Sequence, residues 1–449
     1  MRRATPADLE ALVDFNAAVH GSPDQPDQMI GAWVRDLLTR PHPTFGQGGF
    51  LVVEDPARAA GDRIVSTLNL IPQTWSYGGV PFGVGRVEVV GTHLEYRRRG
   101  LVRLQMEEVH RWSAALGHPV QIITGISNFY RQFGYEQGLT MSGACAGYRH
   151  AIPSLPEGAA EPFHLRPATV EDAGFLAHLE EIARPRYLLS VPRDAAHWRY
   201  ELDRLREDSL MHRRIRIIEA ATGASGPAGE RAGYLVHLRS LAPTFYVVAY
   251  ELVSGLSWLA VTPSVLRHLK TIGDAYVPIS PDPTDRRFER FQFQLGLDHP
   301  VYHAIPQRLP ETERQFVNYV RVPDLPAFLR HIAPVLERRL AASIAPSHTG
   351  RLRLSFYREG VLLRFQDGRL AAAERCPHHT PSGEDGPAGP AGPIGASFPD
   401  LTFLQLLFGS RSLAELEHAF GDCRVRTEEA RALLPILFPK HPSLIWPVS

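Results

Sequence analysis

Apolar positions change their period several times along the chain, and each change marks an element. Leu9, Leu12, Val13 and Phe15 recur at helical intervals behind Thr5 and Asp8. That predicts a helix capped by Thr5, with Asp8 favouring its first turn. The arrangement returns downstream. Arg2-x-Ala4-Thr5-x-x-Asp8 recurs as Arg166-x-Ala168-Thr169-x-x-Asp172, followed by Phe175, Leu176 and Leu179. In each copy a short strand would end at Arg-x-Ala, and both copies sit where a domain could begin. Two similar domains in tandem is the reading. Inside the first copy, Val87-Glu88-Val89-Val90 reads as a strand of β-branched residues. From Leu101 to about Leu116 a helix carries Val102, Gln105, Met106, Val109 and Trp112 on one face, with Arg103, Glu107, Glu108 and Arg111 opposite. Residues 119–124 form the next strand.

Two breaks divide the chain. Residues 151–162 are Pro-rich without periodicity, as suits a linker. The second break falls near Arg321-Val322-Pro323-Asp324. After it, residues 326–340 read as a helix with Asp324 near its start and Pro334 as a kink. Leu352, Leu354 and Phe356 alternate with Arg351, Arg353 and Ser355, a half-buried strand. Val361 to Phe365 make another, which Asp367-Gly368 turns towards a third. Ser412-Leu-Ala-Glu415 is a capping box. Residues 382–396 and 221–233 read as loops. The predicted domains are therefore 1–150, 163–322 and 323–449, and 449 residues suit about three cores.

Composition excludes some classes of function. Lys+Arg and Asp+Glu balance at 48 each, so no net field recruits nucleic acid or an anionic membrane. Cys145, Cys376 and Cys423 are too few and too scattered for a disulfide framework. No apolar run approaches the roughly 20 residues that span a bilayer, and Met1-Arg2-Arg3-Ala4 has no signal-peptide core behind it. A cytoplasmic protein is the expectation. His378 and His379 beside Cys376 invite a metal reading, but no second ligand cluster accompanies them, so no metal is expected.

The chemistry concentrates between Val87 and Tyr135. A strand, the turn Arg97-Arg98-Arg99-Gly100 and a helix N-terminus together make an anion site. The first helical N–H groups lack internal partners, the dipole favours negative charge, and glycine lets the backbone approach a ligand. Arginines at the mouth suit phosphate. The triplet by itself favours a solvated basic turn that caps a surface helix.

Downstream context makes the pattern specific. Arg97-x-x-Gly100-x-Val102 resembles the GNAT acyl-CoA signature Arg/Gln-x-x-Gly-x-Gly/Ala. Tyr130-x-x-x-Gly134-Tyr135 resembles that family's second signature, and one helix and one strand separate the two, as in the family. Val102 departs from the pattern, where a small residue is usual, and should crowd a pyrophosphate slightly. Arg-Arg-Arg-Gly-Leu is similar to the enhanced intracellular survival branch. That resemblance implies an α/β (α+β) chain: two tandem GNAT-like mixed-sheet domains followed by a small α+β domain like sterol carrier protein type 2. Residues 401–409 and 412–416 carry the C-terminal likeness.

The resemblance also implies roles. Acetyl-CoA would be the co-substrate, its pantetheine arm lying along Val90, Gly91 and Thr92 in an added-strand mode. Arg98, Arg99, Gly100, Leu101, Val102 and Arg103 would contact the pyrophosphate, largely through backbone. Asn128 is a cofactor contact or a helix cap. Tyr130 would protonate the departing thiolate, unless it packs in the core like Phe129 and Phe133. In the related branch the C-terminal carboxylate takes the amine proton, which here points to Ser449. The tail ends Trp446-Pro447-Val448-Ser449 rather than in the usual Phe; Glu88 and His93 are the other candidate bases. The middle domain has no Arg-x-x-Gly turn after its strand at 246–252, so it is expected to have lost the cofactor site. The expected function is N-acetylation of a primary amine on a small cationic molecule or a lysine. The alternative is a non-catalytic acyl-CoA or lipid binder working through the third domain. Expected partners are the amine and, in assembly, a homo-oligomer; neither nucleic acid nor membrane is expected.

Overall fold

A computed structural model describes the chain apart from residues 23, 47, 127, 142–143, 223–226, 241–242, 278–286, 297, 314–315, 378–391 and 446–449. Its strands form three mixed sheets flanked by helices. In the first sheet Arg2–Arg3, Phe50–Glu54, Ile64–Tyr77, Val80–Thr92, Val120–Ile123, Phe316–Arg321 and Glu136–Met141 lie side by side in that order. The second sheet repeats the plan: Phe163–Pro167, Arg214–Ala220, Arg231–His237, Thr244–Leu252, Arg290–Gln294, Ala144–Tyr148 and Glu311–Glu313. Each has its parallel pair at the fourth and fifth strands.

The sheets depart from the linear division at two strands. Ala144–Tyr148 falls inside 1–150 yet pairs in the second sheet. Phe316–Arg321 falls inside 163–322 yet pairs in the first, between Val120–Ile123 and Glu136–Met141. The two lobes exchange their sixth strands. Apolar alternation says that a segment is a strand, but it carries no information about which sheet takes it.

The repeated motif folds the same way twice. The Arg2 guanidinium bridges Asp8 (2.7 and 2.8 Å) and Glu54 (2.7 and 2.8 Å). Arg166 bridges Asp172 (2.7 and 3.0 Å) and Glu219 (2.7 Å). The backbone N–H of Thr5 donates to Asp8 at 2.7 Å, and that of Thr169 to Asp172 at 2.9 Å. These arginine and backbone donors hold both aspartates down to about 2. Thr5 and Thr169 cap single 3₁₀ turns, Pro6–Asp8 and Val170–Asp172, and the α-helices Leu9–His20 and Ala173–Ala183 start behind them.

The third sheet runs Arg369–Pro377, Glu359–Gln366, Gly350–Ser355, Ala396–Ser397 and Arg424–Val425. The helix expected over 326–340 is two, Leu325–His331 and Ala333–Ala341, with Pro334 in the first turn of the second, where its missing N–H costs nothing. Asp367 and Gly368 both take left-handed backbone (φ 49° and 76°), as their hairpin requires. The Ser412–Glu415 capping box closes reciprocally at 3.2 and 2.8 Å. This lobe shares one core with the first sheet: Trp75, Tyr77, Phe82 and Leu139 pack in one cluster with Phe328, Leu354, Phe403 and Leu434. The Tyr77 hydroxyl donates to the Leu407 carbonyl at 2.6 Å. Among the described residues, no helix is long and apolar enough to cross a membrane. His378 and His379 lie outside them.

Candidate active site

Strand Val80–Thr92 pairs with Val120–Ile123 from Val84↔Val120 to Val87↔Ile123 and no further. On its other edge Asn69 faces Glu88, but Thr67 faces Gly91, so Val89 and Val90 together oppose Leu68. The extra residue is a β-bulge, and Val89 takes φ 52° to make it. A β-branched residue rarely adopts that conformation and strains to hold it. Burial of Val89 among Trp33, Phe50 and Ile71 secures it. Beyond the bulge the two parallel strands part, and the edge at Val90 leaves the ladder. Gly91 is required for a different reason: a Cβ there would meet Val19 of helix Leu9–His20 at 2.6 Å. The Thr92 hydroxyl shares a hydrogen bond with Ser66 at 2.9 Å, and Ser66 also donates to Gln105 at 2.6 Å. Gln105 thereby fastens the following helix to the strands.

That helix is Leu101–Ala115. Arg98 (φ 63°) and Gly100 (φ 78°) both turn left-handed to start it, and Gly100 is its cap. The N–H groups of Leu101, Val102 and Arg103 have no preceding helical carbonyl to reach. Arg98, Arg99, Gly100 and Arg103 are exposed. The Arg99 guanidinium lies 4.6 Å from the centre of the Tyr96 ring, and Arg103 donates to Gln132 at 2.7 Å. A cavity of about 330 Å³ opens beside the turn, lined by Phe15, Val19, Ile64, Thr92, Leu94 and Arg97 among others. His93 uses its Nδ1 to accept the Glu95 N–H at 3.3 Å, which makes it the cap of a short turn.

Across the divergence stands Tyr130, on the 3₁₀ turn Tyr130–Phe133 that Gly134 ends with φ 83°. Its ring packs edge-on against Phe129 (5.0 Å) and Tyr319 (5.7 Å). A Cβ at Gly125 would lie 2.8 Å from it. The ring is thus packed on all these sides. Burial, then the nearby Glu88 and Tyr319, push the Tyr130 hydroxyl well above the ordinary phenol range. It is neutral at physiological pH. Asn128, at φ 62°, commits its backbone N–H to the Tyr319 hydroxyl at 2.5 Å.

Glu88 accepts from Arg86 Nε at 2.8 Å and from the Thr124 hydroxyl at 3.2 Å, and Thr124 also donates to Asn318 at 3.2 Å. Asn318 and Tyr319 arrive on the exchanged strand. Sequence reasoning missed them because nothing local in Phe316–Arg321 points to residues 124–130. Ser449 lies outside the described residues. The chain before it is docked: Leu188 donates to the Pro442 carbonyl at 2.8 Å, Leu444 donates to that of Leu189 at 3.0 Å, and Ile445 is buried.

The second lobe repeats the divergence but fills it. Thr244–Leu252 pairs with Arg290–Gln294 only as far as Val247↔Phe293, and Val248 bulges against Arg231–His237. Into the gap pack Tyr250, Trp258 and His299, with ring centres 4.8 Å (Tyr250–Trp258) and 5.0 Å (Trp258–His299) apart. The Tyr302 hydroxyl donates to the Phe293 carbonyl at 2.8 Å and accepts the Leu295 N–H at 3.2 Å. On the fourth strand itself, the Tyr250 carbonyl accepts from His299 Nε2 at 2.8 Å.

Residues 1–138 match the family described as acetyltransferase (GNAT) domain. Among curated proteins none matches in sequence. Solved structures share the fold over nearly the whole chain. A probable N-acyltransferase from Enterococcus faecalis V583 is 14% identical with a TM-score of 0.64, covering 99% of this chain and 98% of its own. A GCN5-related N-acetyltransferase from Kribbella flavida is 19% identical with a TM-score of 0.59, covering 99% and 96%. Eis1 from Mycobacterium abscessus is 15% identical with a TM-score of 0.57, covering 99% and 98%. The first lobe thus matches an acetyltransferase domain in sequence, and the mixed α/β fold of the whole is that of the GNAT-like structures.

Proposed function

We propose that the chain transfers an acetyl group from acetyl-CoA to a primary amine on a small cationic molecule or a lysine. The observation that carries the reading is the juxtaposition of two features at one strand divergence. On one side is a helix start with open N–H groups behind Gly100; on the other is the buried, neutral phenol of Tyr130. Acetyl-CoA fits this arrangement: Val90, Gly91 and Thr92 would hold the pantetheine arm, and Arg98, Arg99, Gly100, Leu101, Val102 and Arg103 the pyrophosphate. Asn128 would lie beside the thioester. The amine nitrogen attacks the thioester carbon, the C–S bond breaks, and the sulfur takes the Tyr130 proton. The amine proton goes to a carboxylate. Glu88, beside Thr124 and Arg86, is the described candidate, and Ser449 is the one that the family resemblance suggests.

The domain division 1–150, 163–322 and 323–449, with a degenerate second GNAT-like lobe and a sterol-carrier-like third lobe, belongs to the same proposal. Dense packing of Phe398, Phe403, Leu407, Leu434 and Phe438 inside the third lobe favours a structural role there over lipid binding. The test is a screen of acetyl-CoA consumption across amines, repeated with Tyr130→Phe. Turnover of the variant should fall by roughly 10²–10⁴-fold, about 3–5 kcal/mol of barrier, with CoA affinity little changed. A variant that keeps most of its activity overturns the assignment of the acid.

A further inference from the structure

Among the described residues, buried hydrogen-bonding groups with no partner collect on one face of the first sheet, next to the bulge beyond which the strands diverge. Asn69 is fully buried, and neither the oxygen nor the nitrogen of its amide has a partner among the described residues. It stands directly across from Glu88 in the strand register, and facing residues share one side of a sheet. Arg86, two positions before Glu88, is on that side too. It is 4% exposed, commits Nε to Glu88 at 2.8 Å and leaves Nη1 without a partner among the described residues. Leaving a buried polar group unpaired costs about 1–3 kcal/mol. A site that binds a polar ligand is one place where such groups persist.

Charges of both signs lie near Arg86. Glu201 is influenced by Arg193, Arg213 and Arg86 as well as by Glu180. An amine with one neighbouring anionic group would meet complementary charge at both ends. Resting on the transferase reading above, we propose that Arg86 Nη1 and the Asn69 amide bind the carboxylate of an amino-acid-type acceptor. Glu88 faces the acceptor's amine. Donors and a carboxylate side by side on one sheet face match a ligand that carries an amine and a carboxylate close together. The guanidinium suits a carboxylate oxygen because its donors are fixed and always charged. Asn69 becomes a specificity-determining residue, and its unpaired amide in the free chain is the preorganised half of a contact that the acceptor completes.

The experiment uses the full chain with acetyl-CoA and pairs of acceptors that differ only in the carboxylate: histidine and histamine, tryptophan and tryptamine, serine and ethanolamine, with spermidine as the polycation. The carboxylate-bearing member of a productive pair should be preferred at least tenfold in kcat/KM. Asn69→Leu should erase that preference by raising KM for the acid tenfold or more, while KM for acetyl-CoA stays put. Its melting temperature should rise, because an unpaired buried amide gives way to an apolar side chain of similar size. Asn69→Ala should shift the acceptor KM the same way whatever it does to stability. Equal use of both pair members, or preference for spermidine, overturns the inference and leaves the transferase reading intact. So does an Asn69→Leu chain that melts lower with its acceptor KM unchanged, because the amide would then be holding structure. Transfer to no amine at all overturns the transferase reading and this inference with it.

Discussion

The Tyr319 hydroxyl lies 2.5 Å from the backbone nitrogen of Asn128, across 191 residues of chain. It also donates to the Ile126 carbonyl at 3.3 Å and accepts from Gln137 at 3.1 Å. One phenol on the exchanged strand thus holds both ends of the turn that presents Tyr130. Tyr319→Phe keeps the ring against Tyr130 but frees the turn. Turnover should fall about tenfold with little change in KM for acetyl-CoA, and stability by about 1–3 kcal/mol. Steady-state kinetics beside urea unfolding will separate the two effects.

Gly100 stands at φ 78° with nothing within 4 Å of a built Cβ. A side chain there meets backbone strain rather than a clash, and a carboxylate would also oppose an anion at the helix start. Gly100→Asp should weaken CoA binding at least tenfold, about 1.4 kcal/mol. Gly100→Asn tolerates the left-handed backbone and carries no charge, so it should weaken binding less. Calorimetry on both variants measures the difference.

The aromatic filling of the second lobe predicts one acetyl-CoA per chain. Tyr302 already satisfies Phe293 and Leu295, and a ligand would have to displace it together with Trp258 and His299. Titration calorimetry should give a stoichiometry near one. Two comparable sites would mean that this packing opens readily.

Acid should destabilise the fold through its buried histidines. Burial, with the charges of His197 and Arg86 adding, lowers His42 to about 3, and burial lowers His237 to about 3. In the unfolded chain both titrate near 6.5. Between those values the unfolded state binds the extra protons, so stability is whole above pH 6.5 and is lost as pH falls towards 3. The slope approaches about 1.4 kcal/mol per pH unit for each histidine. Urea midpoints at pH 7.5 and pH 5 should show the drop, and His42→Gln with His237→Gln should make it shallower.

Much of this architecture was readable because it is local. Arg2, Thr5 and Asp8 meet within one turn, and Arg166, Thr169 and Asp172 do the same, so a short motif exposed the duplication. Gly100 and Tyr130 likewise sit at fixed distances from one strand and one helix. What escaped was long-range. Glu54 and Glu219 complete the arginine pairs from strands that the motif does not contain. Asn318 and Tyr319 reach the site only because their strand crosses to the other sheet, and Tyr302 meets the end of Arg290–Gln294 from beyond its helix. The bulge at Val89 was also hidden, since its strain is visible in φ and not in residue type.

The crossing of Phe316–Arg321 into the first sheet bears on how the molecule is made. A ribosome delivers Val120–Ile123 and Glu136–Met141 long before the strand that belongs between them. Until residue 321 emerges, those two segments present open edges that invite wrong pairing, and the second lobe waits for nothing but its own later strands once Ala144–Tyr148 is out. Pairing across so many residues carries a high closure entropy and a slow approach to the native state. A nascent chain released early would hold a helix start and a tyrosine turn with no Tyr319 to set it. The turn that Tyr319 holds therefore has to be set late in synthesis, when most of the polypeptide already exists.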